Sequence, residues 1–139
     1  FMIKPHPTMN LETLKDRVAN KWPNDFQEVE ESASNYLRMS GLLITGMSSI
    51  GLEAIVLGVP TIVVEMLSGL AYDPIPYSVP KELWRSCRSP KEISEAINYF
   101  RNRDSGKIKE HQKLSAQIKK DYFEPVTKEG VYKFLELKI

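Results

Sequence analysis

The sequence lacks most of the features that mark specialised protein classes. Its 139 residues include one cysteine, Cys87, which excludes an internal disulfide and a disulfide-based secreted scaffold. No apolar run approaches the ~20 residues that a membrane-spanning helix needs. The formal net charge of +1 gives no overall attraction to nucleic acid, so no nucleic-acid partner is expected. These absences fit a globular protein in a reducing, cytoplasmic setting.

Positive charge is concentrated in the second half of the chain. Residues 1–70 carry 5 basic and 8 acidic residues, whereas residues 71–139 carry 14 basic and 10 acidic residues. The densest basic stretch runs from Arg101 to Lys120, and a solvated helical face accounts for it. The alternative is a peripheral contact with the inner face of a membrane, where anionic headgroups attract Lys and Arg by roughly 1 kcal/mol each.

Apolar, β-branched runs alternate with patterns of helical period. We predict strands at 1–4, 26–30, 42–45, 61–64 and 83–88, and helices at 11–21, 32–39, 50–57, from Pro90 onward, 107–121 and 127–137. Continuous runs such as Thr61–Val64 favour a parallel sheet covered on both faces. The alternation predicts an α/β, Rossmann-like doubly wound parallel sheet flanked by helices, in one domain spanning 1–139. Residues 66–80 contain three prolines and a glycine, which predicts a surface loop.

Two segments carry candidate functional residues, and both follow predicted strands. Lys4-Pro5-His6-Pro7 ends the first strand, and residues 45–54 with Gly58-Val59-Pro60 follow the third. In open α/β sheets, ligands bind at the carboxyl ends of the strands. We therefore expect the two segments to contribute to one binding edge.

The second segment has the composition of a phosphate cradle. A helix start presents unpaired N–H groups and partial positive charge, glycines leave room for a ligand, and serine hydroxyls add donors. A carboxylate one turn into the helix can accept hydrogen bonds from ribose hydroxyls. The residues in question are Gly46, Ser48, Ser49, Ile50, Gly51 and Glu53.

A purely structural interpretation of the same residues stays open. Ser49 can simply cap the helix, and Glu53 can complement its dipole. The segment matches neither the P-loop pattern nor the G-x-G-x-x-G dinucleotide fingerprint. A single histidine is more often structural than catalytic, although prolines on both sides orient His6 to donate to a phosphate, with Lys4 adding charge nearby.

The order of these motifs resembles a known family. Lys4-Pro5-His6-Pro7, an aliphatic strand, and then Ser48-Ser49-x-x-x-Glu53-Ala54-x-x-x-Gly58-x-Pro60 resemble the C-terminal half of GT-B-type glycosyltransferases. The His-Pro and Ser-Ser pairs are similar to those of bacterial sialyltransferases, capsule Kdo transferases and CDP-glycerol glycerophosphotransferases. The Ser-x-x-x-Glu-Ala part is also similar to UDP-N-acetylglucosamine 2-epimerase, where the matching Glu holds ribose.

The resemblance implies a nucleotide-sugar-binding domain that serves bacterial surface polysaccharide biosynthesis. His6 would be catalytic, next to the donor phosphate, and Lys4 and the residues from Gly46 to Glu53 would bind the nucleotide sugar. The family is metal-independent and uses no cofactor beyond that donor. The chain would be a fragment of a longer two-domain protein, inactive alone, whose N-terminal domain supplies the base and binds the carbohydrate acceptor. The alternatives are an epimerase-like domain and a non-catalytic binding or assembly domain of the same fold.

Overall fold

The structure is a computed structural model, which describes residues 1–6, 8–18, 21–66, 74–123 and 126–136. The described chain divides into two compact units, residues 1–36 and residues 37–139. The expectation of one nucleotide-sugar-binding domain over residues 1–139 stays a prediction. Pro7, Glu124, Pro125, residues 67–73 of the expected loop and the last residue of the helix expected at 127–137 lie outside the described residues.

The first unit consists of a small parallel strand pair and short helices. Its elements are β1 (Met2–Ile3), α1 (Leu11–Arg17), β2 (Gln27–Glu28) and α2 (Ala33–Leu37), whose last residue opens the second unit. Strands β1 and β2 pair in parallel, with Met2 opposite Gln27. Asn10 caps α1 through the amide of Glu12, as the sequence predicted. The helix ends at Arg17, earlier than expected.

The second unit contains a parallel three-stranded sheet with helices on both faces. Its elements are β3 (Leu43–Thr45), α3 (Ile50–Val56), β4 (Thr61–Val64), β5 (Trp84–Cys87), α4 (Pro90–Arg101), α5 (Ser105–Tyr122) and α6 (Lys128–Phe134). The strand order is β3-β4-β5, and every pairing is parallel. The predicted α/β class with a parallel sheet between helices is therefore confirmed at this level.

Alternation along β4 and β5 sends side chains to two separate cores. Val63 and Trp84 pack with α3 and α5, in a cluster that includes Ile55 and Ile118. On the opposite face, Ile62 and Cys87 pack with α4 through Ala96 and Phe100, and Ile93 and Ile97 add to the same cluster. Burial of both sheet faces explains why Thr61–Val64 is an uninterrupted apolar run.

Helix α3, which follows the candidate loop of Gly46 to Ser49, ends in a Schellman motif. Gly58 has φ +81°, its amide donates to Ile55 O at 3.0 Å, and the amide of Val59 donates to Ala54 O at 2.9 Å. Val59 packs with Ala54 and Leu37 in a third buried cluster. The turn therefore leads α3 directly into β4, as the Gly-then-Pro stop at residues 58–60 predicted.

The proline-rich segment before β5 is not a surface loop throughout. Ile75 and Val79 are almost completely buried in the α3–α5 core. Prolines lack an N–H donor, so the apolar residues between them can be buried without leaving many amides unpaired. In this part the sequence-based expectation of an exposed connection is wrong.

The basic stretch from Arg101 to Lys120 covers the end of α4 and most of α5. Lys109, Lys113 and Lys120 are exposed, while His111, Ser115 and Ile118 point into the protein. The expected solvated helical face is thus present on α5. Among the described helices, none combines the length and apolar character needed to cross a bilayer.

Candidate functional site

The candidate loop lies at the carboxyl edge of the parallel sheet. Gly46 to Ser49 follow β3 directly, and Thr45 at the end of β3 pairs with Val63 of β4. Glu65 follows β4, and Arg88 follows β5, at the same edge. This is the edge where open α/β sheets bind ligands, as the sequence predicted for the loop.

The two serines of the loop have different roles. Ser49 occupies the N-cap position of α3 with helical backbone angles, φ −59° and ψ −21°, and its side chain makes no capping hydrogen bond. The helices that begin after Asn10, Ser89, Asp104 and Thr127 are all capped by those side chains. Ser48 Oγ is partly buried and 3.5 Å from Ile50 N, which is a long contact. The exposed Ser49 hydroxyl is therefore available to a ligand, and simple capping does not explain it.

The start of α3 offers fewer free amides than the sequence suggested. The amide of Gly51 donates to Ser48 O at 3.1 Å, and the amide of Leu52 donates to Ser49 O at 3.0 Å. The helix has 7 residues, so its dipole is short. A ligand at this edge would be held chiefly by the hydroxyls of Ser48 and Ser49 and by the loop before Ile50.

The two glycines of the segment differ in what surrounds them. At Gly46, a Cβ atom would meet no other heavy atom within 4 Å, so the exposed backbone is open to a ligand. Gly51 is buried, and a Cβ there would lie 3.5 Å from Ile75 Cδ1 and 3.6 Å from Thr61 Cγ2. Gly51 therefore serves helix packing, and the ligand-approach role expected for it is not supported by the structure.

Glu53 lies in the first turn of α3 and is partly exposed. This position suits a carboxylate that complements the helix dipole, and it equally allows contact with a ligand at the sheet edge. Both interpretations from the sequence are retained by the structure, and a binding measurement separates them.

Lys4 and His6 belong to the first unit, after β1, and both are exposed. The amide of Thr8 donates to His6 Nδ1 at 3.3 Å, and Thr8 Oγ1 lies 2.7 Å from the same nitrogen. Because an amide N–H can only donate, Nδ1 accepts, and the proton of the neutral ring is on Nε2. His6 therefore presents an exposed N–H donor.

Sequence reasoning missed a polar network at the same sheet edge in the second unit. Ser86 Oγ and Arg88 Nε both donate to the carboxylate of Glu65, one to each oxygen. These two hydrogen bonds, that of Ser86 first, hold the pKa of Glu65 below its usual value. Glu65 and Arg88 are 23 residues apart. The sequence signal is that Glu65 directly follows the strand predicted at 61–64 and that Arg88 is the last residue of the strand predicted at 83–88.

A second polar cleft lies at the opposite, amino-terminal edge of the sheet. Its lining residues are Glu82, Tyr99, Arg103, Lys107, Glu110 and His111. Arg103 Nη1 donates to His111 Nδ1 at 2.8 Å, so the buried ring carries its proton on Nε2. His111 Nε2 is buried without a hydrogen-bond partner among the described residues. Burial and the neighbouring Arg103 lower the pKa of His111, against a smaller opposing effect of the backbone at Glu82 and Gly58.

We expect stability to decrease in mild acid because of His111. Its pKa in the unfolded chain is about 6.5 and lies lower in the folded protein. Between the two values the unfolded state binds more protons, so the free energy of unfolding rises with pH. The contribution is complete above about pH 6.5 and is lost as the pH falls through the lowered pKa.

Urea unfolding across this pH window measures the effect. The slope of stability against pH should be reduced in His111→Gln, which keeps an acceptor for Arg103 but does not titrate. Equal slopes in the wild type and His111→Gln would refute this account of His111.

Other chemistry is not supported by the described residues. Cys87 is buried, and burial raises the pKa of its thiol, which makes it a poor nucleophile. In the part of the chain that the structure describes, no three His, Cys, Asp or Glu side chains come together as a metal site. No protein-family model, curated protein or solved structure matches the chain. Functional inference therefore depends on the geometry of the sheet edge and on the motifs in the sequence.

Proposed function

We propose that Gly46, Ser48, Ser49 and Glu53 bind the phosphate and ribose of a nucleotide-activated sugar, and that the chain is the donor-binding domain of a GT-B-type glycosyltransferase. The observation that carries this proposal is the unused Ser49 hydroxyl at the carboxyl edge of a parallel sheet. An exposed hydroxyl in the loop between β3 and α3, which also contains the open backbone of Gly46, suits a phosphate better than a structural cap.

The layers around the sheet and the turn after α3 also support this proposal. A parallel sheet with α3 and α5 on one face and α4 on the other is the arrangement from which a Rossmann-like domain is built. The short turn of Gly58, Val59 and Pro60 brings the chain from α3 into β4, as in the sequence motif that resembles glycosyltransferases. The acceptors would be carbohydrates of surface polysaccharides.

In the proposed reaction, the nucleotide leaves as the acceptor attacks the sugar, and negative charge develops on its phosphate oxygens. Fixed donors aimed at that charge stabilise the transition state. Ser48 and Ser49 are the proposed donors within the second unit. The roles that the resemblance implies for His6, as a donor to the phosphate, and for Lys4, as a nearby positive charge, stay predictions. Glu53 would accept hydrogen bonds from the ribose hydroxyls. The base that deprotonates the acceptor is assigned to a domain outside this chain.

Calorimetric titration of the chain with CMP, CDP, UDP and GDP tests the proposal. We expect saturable binding of one of these nucleotides. The double substitution Ser48→Ala, Ser49→Ala should weaken it about tenfold or more, because hydrogen bonds to a charged phosphate are lost. Glu53→Ala should weaken it about five- to tenfold through the ribose hydroxyls.

Gly51→Ala is the matched control in the same helix. Its methyl group would meet Ile75 and Thr61 at ordinary contact distance, so affinity should not change. Absence of binding to all four nucleotides would refute the site and leave a non-catalytic domain as the better interpretation. Unfolding of Glu53→Ala with unchanged affinity per folded molecule would refute the ribose role alone.

A further inference from the structure

The side chain of Arg88 is held at one nitrogen and open at the other two. Its Nε donates to Glu65, and among the described residues neither terminal nitrogen, Nη1 or Nη2, has a partner. The side chain of Arg88 is 69% exposed, whereas that of Glu65 is 29% exposed. The guanidinium therefore presents a pair of parallel N–H donors to solvent, which is the arrangement that binds phosphate oxygens in a bidentate manner.

We propose that Arg88 is a phosphate-binding residue at the carboxyl edge of the sheet. Its side chain turns from the end of β5 toward the end of β4, where Glu65 receives it. Strand β4 lies between β5 and β3, so this turn brings the guanidinium toward the side of the sheet that carries Gly46 to Ser49. Neighbouring strands are about 4.8 Å apart, which places the ends of β5 and β3 roughly 10 Å from each other.

The orientation of Arg88 is set by a short chain of side chains. Ser86, on β5, donates to one carboxylate oxygen of Glu65, and Arg88 donates to the other. Two donors hold the Glu65 carboxylate, and its hydrogen bond from Arg88 Nε in turn directs the guanidinium. Such support lowers the entropy that Arg88 would lose on binding a ligand.

The backbone at the start of α4 does not provide the anion site. Ser89 Oγ accepts from the amide of Glu92 at 3.3 Å, and the carboxylate of Glu92 accepts from the amide of Arg88 at 2.8 Å. In this variant of the capping box, the Glu92 carboxylate binds the residue before the cap, and two amides that would otherwise attract an anion are occupied. Anion binding at this point therefore depends on the Arg88 guanidinium.

The ligand class rests on the proposed function and deepens it. The loop from Gly46 to Ser49 contains hydrogen-bond donors but no positive charge, while a nucleoside diphosphate brings several negative charges. Arg88 supplies a cation within the second unit itself. We infer that Arg88 contacts the diphosphate of the donor and that the serines contact the same group from β3.

Calorimetric titration of the full chain with inorganic pyrophosphate tests the role of Arg88 without the nucleoside. Pyrophosphate should bind, and Arg88→Gln should weaken it about 10- to 100-fold, since charge-assisted hydrogen bonds are lost. Arg88→Lys keeps the charge without the paired donors, and its affinity for pyrophosphate should lie between that of the wild type and that of Arg88→Gln. Arg101→Gln, at the far end of α4, removes the same charge and should bind like the wild type.

The outcomes distinguish this inference from the proposed function. Equal pyrophosphate affinity in the wild type and Arg88→Gln, or no pyrophosphate binding at all, would overturn the role of Arg88. If the wild type binds pyrophosphate and Arg88→Gln does not, the role of Arg88 is supported. That support holds even if the wild type binds none of the four nucleotides, because the lack of nucleotide binding would refute only the nucleotide site. If CDP binds, Arg88→Gln should reduce its affinity while leaving that of cytidine unchanged. A loss shared equally by cytidine would contradict a phosphate contact.

Discussion

Replacing Trp84 by alanine is expected to lower the free energy of unfolding by about 3–5 kcal/mol. Trp84 is completely buried in the cluster that joins β4 and β5 to α3 and α5. Its indole Nε1 donates to Val79 O at 3.2 Å, and Lys81 Nζ lies 3.1 Å from the ring centroid. Truncation would leave a large cavity and an unpaired carbonyl, in a domain whose total stability is of order 5–15 kcal/mol.

Urea unfolding followed by circular dichroism measures this loss. Trp84→Phe fills most of the cavity but removes the N–H donor, so it should cost less than alanine and keep the chain folded. The comparison residue is Trp22, which packs edge-on against Phe26 in the first unit and is only partly buried. If Trp22→Ala cost as much as Trp84→Ala, the core assigned to the second unit would be wrong.

Gly58→Val is expected to cost about 1–2 kcal/mol or more, although no side chain obstructs the position. A Cβ at Gly58 would meet no heavy atom within 4 Å, but the residue has φ +81°. A β-branched side chain strongly disfavours that backbone region, so the Schellman turn and the entry into β4 would be strained.

Gly41→Val is the control for this prediction, measured by urea unfolding. Gly41 also lies in open space but without the left-handed φ, so its substitution should change stability by less than about 0.5 kcal/mol. Gly58→Asn should fall between the two, since asparagine tolerates the left-handed region. Similar losses for Gly41→Val and Gly58→Val would show that backbone conformation is not what requires glycine at position 58.

Local patterns in the sequence predicted most of the helices and strands of the second unit. The start of α4 followed from Ser89 as a cap and Pro90 in the first turn, and the structure has both. The end of α3 followed from Gly58 and Pro60. These features are decided within a few residues, because capping and left-handed turns depend on nearby backbone atoms alone.

Predictions about exposure were less reliable, because exposure depends on packing between distant segments. Gly51 was expected to face a ligand and instead faces Ile75 and Thr61. The segment that contains Ile75 and Val79 was expected at the surface and is partly core. Turn residues such as proline predict where a chain bends, but they do not predict which of their apolar neighbours will be covered.

The sequence by itself determined the α/β class, the helix caps at Asn10 and Ser89, and the placement of Gly46, Ser48, Ser49 and Glu53 after a β-strand. Only the tertiary structure decided that Ser49 leaves its hydroxyl unused, that Glu65 and Arg88 meet, and that His111 is buried against Arg103. The physical reason is the distance along the chain over which each interaction acts. Helix and strand signals repeat every two to four residues, whereas the Glu65–Arg88 pair arises because parallel pairing of β4 and β5 brings two strand ends together.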